Sequence, residues 1–168
     1  MSGAVREHRL AAQASLSLWL LTVSDTRTLE TDGSGALIAE QATSAGHRVI
    51  GRSIVPDEPD RIRAEVERGV ALGYDAIVLT GGTGMSPRDR TPEALEPLWT
   101  LVLPGFGELF RWLSHEQVGS ACLLSRAIGG LVGRTVVLAL PGSKAAVELA
   151  MRAIILPELP HMAREARK

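Results

Sequence analysis

The chain of 168 residues suits one domain with a substantial core, because a protein of this length buries about 70% of the surface that its unfolded form exposes. Its 19 acidic and 18 basic residues nearly cancel, and the basic residues are spread along the sequence, which argues against a nucleic-acid-binding stripe or a membrane-seeking patch. A small-molecule ligand is favoured, with neither nucleic acid nor membrane as a partner.

The N-terminal segment and the cysteine content indicate domain organisation and compartment. Residues 1–14 are small, polar and charged without sustained periodicity, so we expect a flexible arm ahead of a single domain over residues 15–164. The apolar run that follows is far shorter than the ~18 residues of a membrane span and leads directly into polar residues, so we reject a signal peptide. The single cysteine, Cys122, cannot form an internal disulfide, which predicts a reduced, cytoplasmic setting.

The first strand is predicted over residues 16–23, where apolar residues on both faces are typical of a sheet covered by helices on both sides. It ends at Ser24, Asp25 and Thr26. Ligands of open α/β sheets bind beyond the carboxyl ends of the strands, which makes these residues candidates for a site. Asp25 and Thr26 could equally form a simple cap or turn. A helix is predicted next, over residues 36–45.

A second strand is predicted over residues 47–55, and the acidic residues Asp57 and Glu58 follow it. Asp57 could be a metal or ligand group. Equally, the two acids could mark the start of the helix predicted over residues 61–72, where they would complement the helix dipole. The spacing alone favours this second interpretation.

The most distinctive stretch is a glycine-rich loop, Gly-Gly-Thr-Gly at residues 81–84, which follows a buried strand predicted over residues 76–80. Glycine permits positive φ angles and close approach, so successive N–H groups can turn toward an anion. Charged and hydroxyl side chains come next: Ser86, Arg88, Asp89, Arg90 and Thr91. An acid and two arginines beside three glycines exceed the needs of a turn and predict a ligand-binding loop.

Two helices are predicted after this loop. The first opens with Thr91 as N-cap and Pro92 in its first turn, and the second spans residues 104–115. More than half of the aromatic residues fall in this region, which indicates a concentrated apolar surface of the kind that forms subunit interfaces. These residues are Trp99, Phe106, Phe110 and Trp112. Phe106 and Phe110, with Leu109 and Leu113, also form an apolar stripe at helical spacing, which is typical of either the core or a subunit interface.

Two further strands are predicted over residues 122–128 and 134–140, joined through glycines as a hairpin or a bulged pair. Ser125 and Arg126 lie inside the first of them. An arginine at this place could bind phosphate or pair with a carboxylate, and the pattern does not separate the two roles.

The last predicted strand is followed by Pro141, Gly142 and Ser143 and then by a helix that runs to about residue 155. Free N–H groups at a helix N-terminus can bind an anion. However, Pro-Gly-Ser between a strand and a helix is also a common connection without any binding role. Residues 158–168 are predicted to be a charged tail.

Polar loops therefore follow four predicted strands, and a mainly parallel βα order brings them to one edge of a sheet. This convergence favours an anionic ligand with phosphate groups, with Asp57 and Asp89 as candidate Mg²⁺ ligands. The lack of G-x-x-x-x-G-K-[ST] excludes a phosphate-loop NTPase, and the lack of G-x-G-x-x-G after the first strand disfavours a dinucleotide fold. No G-x-S-x-G element of a Ser-His-Asp hydrolase occurs either.

Seven short segments, in order over residues 16–159, together resemble the MoaB/MogA family of molybdenum cofactor biosynthesis. The segments are LTVSDT at 21–26, IVPDE at 54–58, TGGTG at 80–84, RDRTPEA at 88–94, PGFGE at 104–108, LSR at 124–126 and LPGS at 140–143. The resemblance implies a three-layer α/β/α sandwich whose mostly parallel five-stranded sheet carries one antiparallel strand. It also implies an enzyme, a molybdopterin adenylyltransferase that converts molybdopterin and MgATP to adenylyl-molybdopterin and pyrophosphate.

The resemblance further implies roles for individual residues. Asp57 and Asp89 would be the catalytic acids and the Mg²⁺ ligands, so the resemblance overrides the helix-start interpretation of Asp57. The residues that would bind the two substrates, ATP and molybdopterin, are Ser24, Asp25, Gly81, Gly82, Thr83, Gly84, Ser86, Arg88, Thr91, Pro92, Glu93, Ser125, Arg126, Pro141, Gly142 and Ser143. The glycine loop with Ser86 would cradle phosphates, and Ser125, Arg126 and residues 141–143 would line the pterin side.

Two expectations about partners also come from the resemblance. The family implies a homo-oligomer, a trimer or a hexamer, and a possible hand-over of product to the metal-inserting enzyme of the pathway. The alternative to catalysis is a carrier or scaffold that binds molybdopterin without chemistry. Both acids are present in this sequence, which favours the enzyme.

Overall fold

The computed structural model describes residues 15–168, so the arm expected over residues 1–14 lies outside the described residues. These residues form a six-stranded sheet in the order β2-β1-β3-β6-β5-β4. The strands are β1 Ser17–Val23, β2 Arg48–Val55, β3 Ala76–Thr80, β4 Leu101–Val102, β5 Ile128–Val132 and β6 Thr135–Leu140.

The helices are α1 Gly33–Ser44, α2 Pro59–Ala71, α3 Thr91–Leu95, α4 Pro104–Val118, α5 Lys144–Ala150 and α6 Leu156–Glu165. Two 3₁₀ turns, Glu96–Leu98 and Gly119–Leu124, follow α3 and α4. A π-helical segment, Met151–Ile155, joins α5 to α6.

Helices cover both faces of the sheet, because the central strands are apolar on both sides. In β3, Ala76 and Val78 belong to one core cluster and Ile77 and Leu79 to the other. Alternate residues of a strand point to opposite faces, so each face of the sheet has its own core. Residues of α1, α4, α5 and α6 fill the first core, and residues of α2 and α3 fill the second. The expected three-layer α/β/α class is confirmed.

The sheet is mostly parallel, as expected. β1 pairs in parallel with β2 and β3, and β3 pairs in parallel with β6. β5 is the one antiparallel strand and forms a hairpin with β6. The sheet has six strands where five were expected, because the two residues of β4 add to its edge by pairing with β5.

Two predictions about local structure were wrong. Residues 122–128 do not form a strand: the 3₁₀ turn Gly119–Leu124 occupies the first part, and β5 begins only at Ile128. The charged tail predicted over residues 158–168 is mostly helix α6, in which Leu159 and Ala163 are buried against the sheet. Their four-residue spacing puts both on one helix face, and their burial explains why the charged segment is helical.

The fold places the candidate loops together. The carboxyl ends of β1, β2, β3 and β6 lie at one edge of the sheet. The loops that follow these strands start at this edge and comprise residues 24–27, 56–58, 81–90 and 141–143. The neighbouring strands β1 and β3 lead to helices on opposite faces of the sheet, β1 to α1 and β3 to α3, and such a switch point opens a crevice at this edge. Within residues 15–168, no helix is long and apolar enough to cross a membrane.

Candidate functional site

The glycine loop forms the wall at the centre of the site. Gly81 and Gly82 have φ angles of +103° and +64°, which only glycine adopts without strain. A Cβ atom at Gly81 would lie 2.2 Å from the carbonyl oxygen of Val23. The Gly81 N–H donates to Leu140 O, whereas the N–H groups of residues 82–85 have no acceptor among residues 15–168. Several successive free N–H groups in such a turn make an anion-binding concavity.

Asp57 is a buried member of this site and contacts the glycine loop. Its Oδ1 accepts a hydrogen bond from Arg90 N at 3.0 Å, and its own N–H donates to Asp25 Oδ1 at 3.1 Å. Both carboxylate oxygens would lie within 3 Å of a Cβ added at Gly82, at 2.8 and 2.9 Å. The acids do stand at the start of α2, which begins at Pro59 with Glu58 at the N-cap position and Asp60 in its first turn. The helix start does not account for the Asp57 carboxylate, however, because this carboxylate accepts its hydrogen bond from Arg90 N in the glycine-loop segment.

The surroundings of Asp57 disfavour its ionised form. Burial raises the pKa of this carboxyl, and the negative charges of Asp89 and Asp25 raise it further. The N–H of Arg90 and the charge of Arg88 oppose these effects without cancelling them, so the pKa stays above its usual value. A cation bound beside Asp57 would remove this electrostatic cost.

Asp89 holds the far end of the loop. Its Oδ2 accepts a hydrogen bond from Ser86 N at 2.9 Å, and a Cβ at Gly84 would lie 2.7 Å from the same oxygen. Each acid therefore lies against its own glycine of the loop, Asp57 at Gly82 and Asp89 at Gly84. The missing glycine side chains make room for the two carboxylates.

An ion pair links the end of β1 to the loop. Arg88 donates to both oxygens of Asp25, with a shortest distance of 2.6 Å. The hydrogen bond from Arg88 and the N–H of Asp57 lower the pKa of Asp25. Asp25 therefore stays ionised and ties the segment after β1 to the segments after β2 and β3, which is more than the simple turn that the sequence left open.

The two acids fit a magnesium ion that is shared with a substrate. No group of three or more His, Cys, Asp or Glu side chains within residues 15–168 is placed to hold a metal by itself. Mg²⁺ typically uses one or two carboxylates together with substrate phosphates and water. Asp57 and Asp89, with the raised pKa of Asp57, satisfy this donor set.

Two cavities of about 450 Å³ each meet at the glycine wall. Both are lined by Gly81, Gly142 and Ser143. The cavity on the β1 side, called the strand cavity below, is also lined by Thr22, Val23, Ser24, Arg27, Thr31, Asp32, Gly33, Ser34, Thr80 and Lys144. The other, called the loop cavity, is also lined by Gly82, Thr83, Gly84, Asp89, Leu124, Ser125 and Pro141.

Most of the predicted substrate-binding residues line these cavities. Ser24 lies in the strand cavity, where its hydroxyl accepts the N–H groups of Thr26 and Arg27. Ser143 caps α5 by accepting the N–H of Ala146. The hydroxyl oxygen of Thr83 is buried in the wall of the loop cavity and has no hydrogen-bond partner among residues 15–168. A buried hydroxyl in that state favours an additional ligand or water.

A second group of predicted residues stands behind the loop and lines neither cavity. Thr91 is fully buried, and its hydroxyl donates to Gly81 O while its N–H donates to Gly82 O. Arg90, not Thr91, is the N-cap residue of α3. The members of this group are Thr91, Pro92, Glu93 and Arg126.

Seven polar residues of the strand cavity were not among the predicted site residues. They are Thr22, Arg27, Thr31, Asp32, Ser34, Thr80 and Lys144. Asp32 accepts hydrogen bonds from Thr22, Gly35 and Arg52. Burial alone would raise the pKa of Asp32, but these donors outweigh it and lower the pKa. The sequence signal that could have identified Asp32 is its position directly before Gly-Ser-Gly, where α1 begins.

The chain is similar in sequence and in fold to proteins of molybdenum cofactor biosynthesis. A family model described as "Probable molybdopterin binding domain" matches residues 19–161. Molybdenum cofactor biosynthesis protein B of Bacillus subtilis is 47% identical over 166 residues, which cover 98% of each chain. A crystal structure of molybdenum cofactor biosynthesis protein B has a TM-score of 0.89 at 45% identity, over 92% of this chain and 97% of that one. The molybdopterin biosynthesis enzyme MoaB of Thermus thermophilus has a TM-score of 0.81 at 35% identity, over 90% and 96%.

Proposed function

This chain belongs to the MoaB family of molybdenum cofactor biosynthesis proteins, which carry a molybdopterin-binding domain, and we propose that it transfers the adenylyl group of ATP to molybdopterin. An oxygen of the molybdopterin phosphate attacks the α-phosphorus of ATP. A new P–O bond forms, and the bond to the β-phosphate oxygen breaks. The products are adenylyl-molybdopterin and pyrophosphate.

The observation that carries this proposal is the pair of cavities that meet at the glycine wall beside the two acids. A transfer between two substrates needs both to be held with their reacting atoms in contact. We assign molybdopterin to the loop cavity, which contains Ser125 and Asp89. We assign ATP to the strand cavity, where Arg27 and Lys144 supply positive charge for its phosphates.

The residues of the wall would act by positioning and by charge. The free N–H groups of residues 82–85 would bind phosphate oxygens at the point where the cavities meet. Asp57 and Asp89 would hold Mg²⁺, which when bound neutralises negative charge on the triphosphate. We further propose that the protein works in the cytoplasm and passes its product to the metal-inserting step of the pathway.

The test is to incubate the protein with molybdopterin and MgATP and to measure pyrophosphate. We expect pyrophosphate in equal amount to adenylyl-molybdopterin. Lys144→Met should raise KM for ATP more than KM for molybdopterin. Tight binding of molybdopterin without pyrophosphate would contradict the proposal and identify a carrier.

The two acids are tested in the same assay. Asp57→Asn and Asp89→Asn should each slow turnover by on the order of 10² or more, and the double variant should be little worse than the poorer single one, because groups that grip one metal are not additive. A rate within about twofold of wild type for Asp57→Asn would refute its assignment as a metal ligand.

A further inference from the structure

Arg126 is bonded to the glycine loop through its backbone and through its side chain. Its backbone N–H donates to Thr83 O at 2.9 Å. In the side chain, Nε donates to Gly84 O at 2.7 Å and Nη2 donates to Asp89 O at 2.6 Å. Arg126 thus joins the first and last residues of the segment 84–89, which carries one of the two proposed metal ligands.

The third nitrogen of the guanidinium group is held by an acid. Nη1 donates to Glu93 Oε1, and the two side chains form an ion pair. Glu93 lies on α3, whose first residue, Thr91, bonds the carbonyl of Gly81. Burial would raise the pKa of Glu93, but the hydrogen bond from Arg126, a backbone hydrogen bond and the charges of Arg126 and Arg90 together outweigh it and lower that pKa. The pair therefore remains charged and anchors the loop to α3.

All three side-chain nitrogens of Arg126 are engaged by protein acceptors, and Arg126 lines neither cavity. We propose that Arg126, held by Glu93, is a positioning residue that sets the place of Asp89 and does not bind substrate. This inference rests on the proposed adenylyl transfer for its kinetic consequence. Its structural consequence, a fixed loop, does not depend on that function.

The chemistry of the side chain suits this role. The arginine fork presents several N–H donors in one rigid plane, whereas the ammonium group of lysine is a single compact point. Lysine at this position has one nitrogen where arginine has three, so it can reproduce only part of the bonds to Gly84, Asp89 and Glu93. Most of the segment between them, including Met85 and Ser86, is exposed to solvent, so few packing contacts would replace the bridge.

The experiment compares Arg126→Met, Arg126→Lys and Glu93→Gln with the control Arg63→Met. Arg63 also forms an ion pair, with Asp60 on α2, and neither residue lines either cavity. Amide hydrogen exchange of a peptide that covers residues 84–89 reports the loop without any need for activity. We expect exchange in that peptide to rise about tenfold or more in Arg126→Met, to rise less in Arg126→Lys and Glu93→Gln, and to stay unchanged in the control.

The kinetic measurement separates positioning from substrate binding. We expect kcat to fall by about 10- to 100-fold in Arg126→Met, as is typical for groups that orient a metal ligand, with the Kd for molybdopterin and KM for ATP within about threefold of wild type. Arg126→Lys should keep part of the rate. If Arg126→Met does not fold, Glu93→Gln supplies the same comparison.

Two results would overturn the inference. One is unchanged loop exchange in both Arg126→Met and Glu93→Gln. The other is a loss of molybdopterin affinity of about tenfold or more at unchanged kcat, which would make Arg126 a substrate contact. A wild-type protein that releases no pyrophosphate would defeat the proposed function instead, and the exchange data would still decide the role of Arg126.

Discussion

The carboxylate of Asp57 is poorly placed for the stability of the free protein. It is buried, and the charges of Asp89 and Asp25 face it. A carboxyl group whose pKa is raised by folding makes the folded state less stable at neutral pH than an uncharged group of the same shape would. A local loss of stability of this kind is common at functional sites, where charged groups are arranged for binding or catalysis.

Asp57→Asn should therefore make the free protein more stable while it abolishes most of the activity. The amide oxygen of asparagine can still accept the N–H of Arg90, but the buried charge is gone. The pKa of Asp57 is raised in the folded protein, so the buried charge destabilises wild type above the folded pKa. As the pH falls from the folded pKa toward the ordinary value of ~4, the carboxylate takes up a proton and wild type regains this stability. Urea unfolding at several pH values should show a smaller pH dependence in the variant over that window.

The control for this experiment is Asp60→Asn, which removes an exposed carboxylate from the same segment. It should change neither the pH dependence nor the rate. A variant at Asp57 that is clearly less stable than wild type at neutral pH would show that the carboxylate supports the fold.

Gly82 is the glycine against which Asp57 lies. A Cβ at this position would meet Thr91 Oγ1 at 2.4 Å and the Asp57 carboxylate, and φ is +64°. We expect Gly82→Ala to cost roughly 1–2 kcal/mol in backbone strain and to slow turnover by about 10-fold or more, since small displacements of reacting groups are costly. Gly105→Ala is the control, because nothing lies within 4 Å of its added Cβ. Equal rates for the two variants in the pyrophosphate assay would contradict this prediction.

At the scale of elements, the site is built from loops, and rigid strands set their positions. β1, β3 and β6 are paired along their lengths, and their last residues Val23, Thr80 and Leu140 lie at the same edge. Thr80 Oγ1 donates to Pro141 O and thereby ties two neighbouring loops together. Sites that are supported by paired strands keep the precise geometry that phosphate chemistry requires.

Helix α6 is an element whose contribution is hidden in a charged sequence. Leu159 is fully buried in the core beneath the sheet. We expect Leu159→Ala to lower the free energy of unfolding by about 2–5 kcal/mol, because it leaves a cavity in a packed core. Urea unfolding measures this. The control Leu72→Ala, at a side chain that is 56% exposed, should change it by less than about 0.5 kcal/mol. Equal effects would mean that α6 does not dock in solution.

At the scale of the whole molecule, the aromatic residues predicted to form an apolar surface divide into buried and exposed ones. Phe106 and Phe110 are buried core residues, so the core alternative is confirmed for them and they are not part of the surface. Trp112 is 68% exposed, and further large apolar side chains on α4 and the following 3₁₀ turn are exposed with it. These are Leu109, Val118, Leu123 and Leu124. Exposed apolar surface of this kind is typical of subunit contacts.

We propose that this surface forms a homo-oligomer, a trimer or a hexamer. Sedimentation velocity at micromolar concentration should show such a species for wild type, and Trp112→Glu should shift it toward monomer because a charge would be buried in the contact. Leu72→Glu, at the C-cap position of α2, is the control and should leave the oligomer intact. A monomeric wild type would contradict the oligomer, and an unchanged Trp112→Glu oligomer would place the contact elsewhere.

Local pattern alone determined the central part of the fold. The strand Ala76–Thr80 was predicted with the bounds that the structure has, because five apolar or small residues before a glycine run have few other conformations. The same holds for the position of the glycine loop and for the βα order, from which the convergence of the polar loops follows. The family was also recognisable from seven short segments, and the comparisons confirm it.

Tertiary structure decided which of these polar residues face the cavities and which support them. The bonds of Asp57 to Arg90, of Arg88 to Asp25 and of Arg126 to Gly84 join residues 33, 63 and 42 positions apart. Contacts at such separations leave no trace in local periodicity, because only the folded sheet brings the partners together. The segment after residue 158 is a further case, because its charges predicted a tail. Leu159 is buried against the rest of the fold, and the segment forms helix α6.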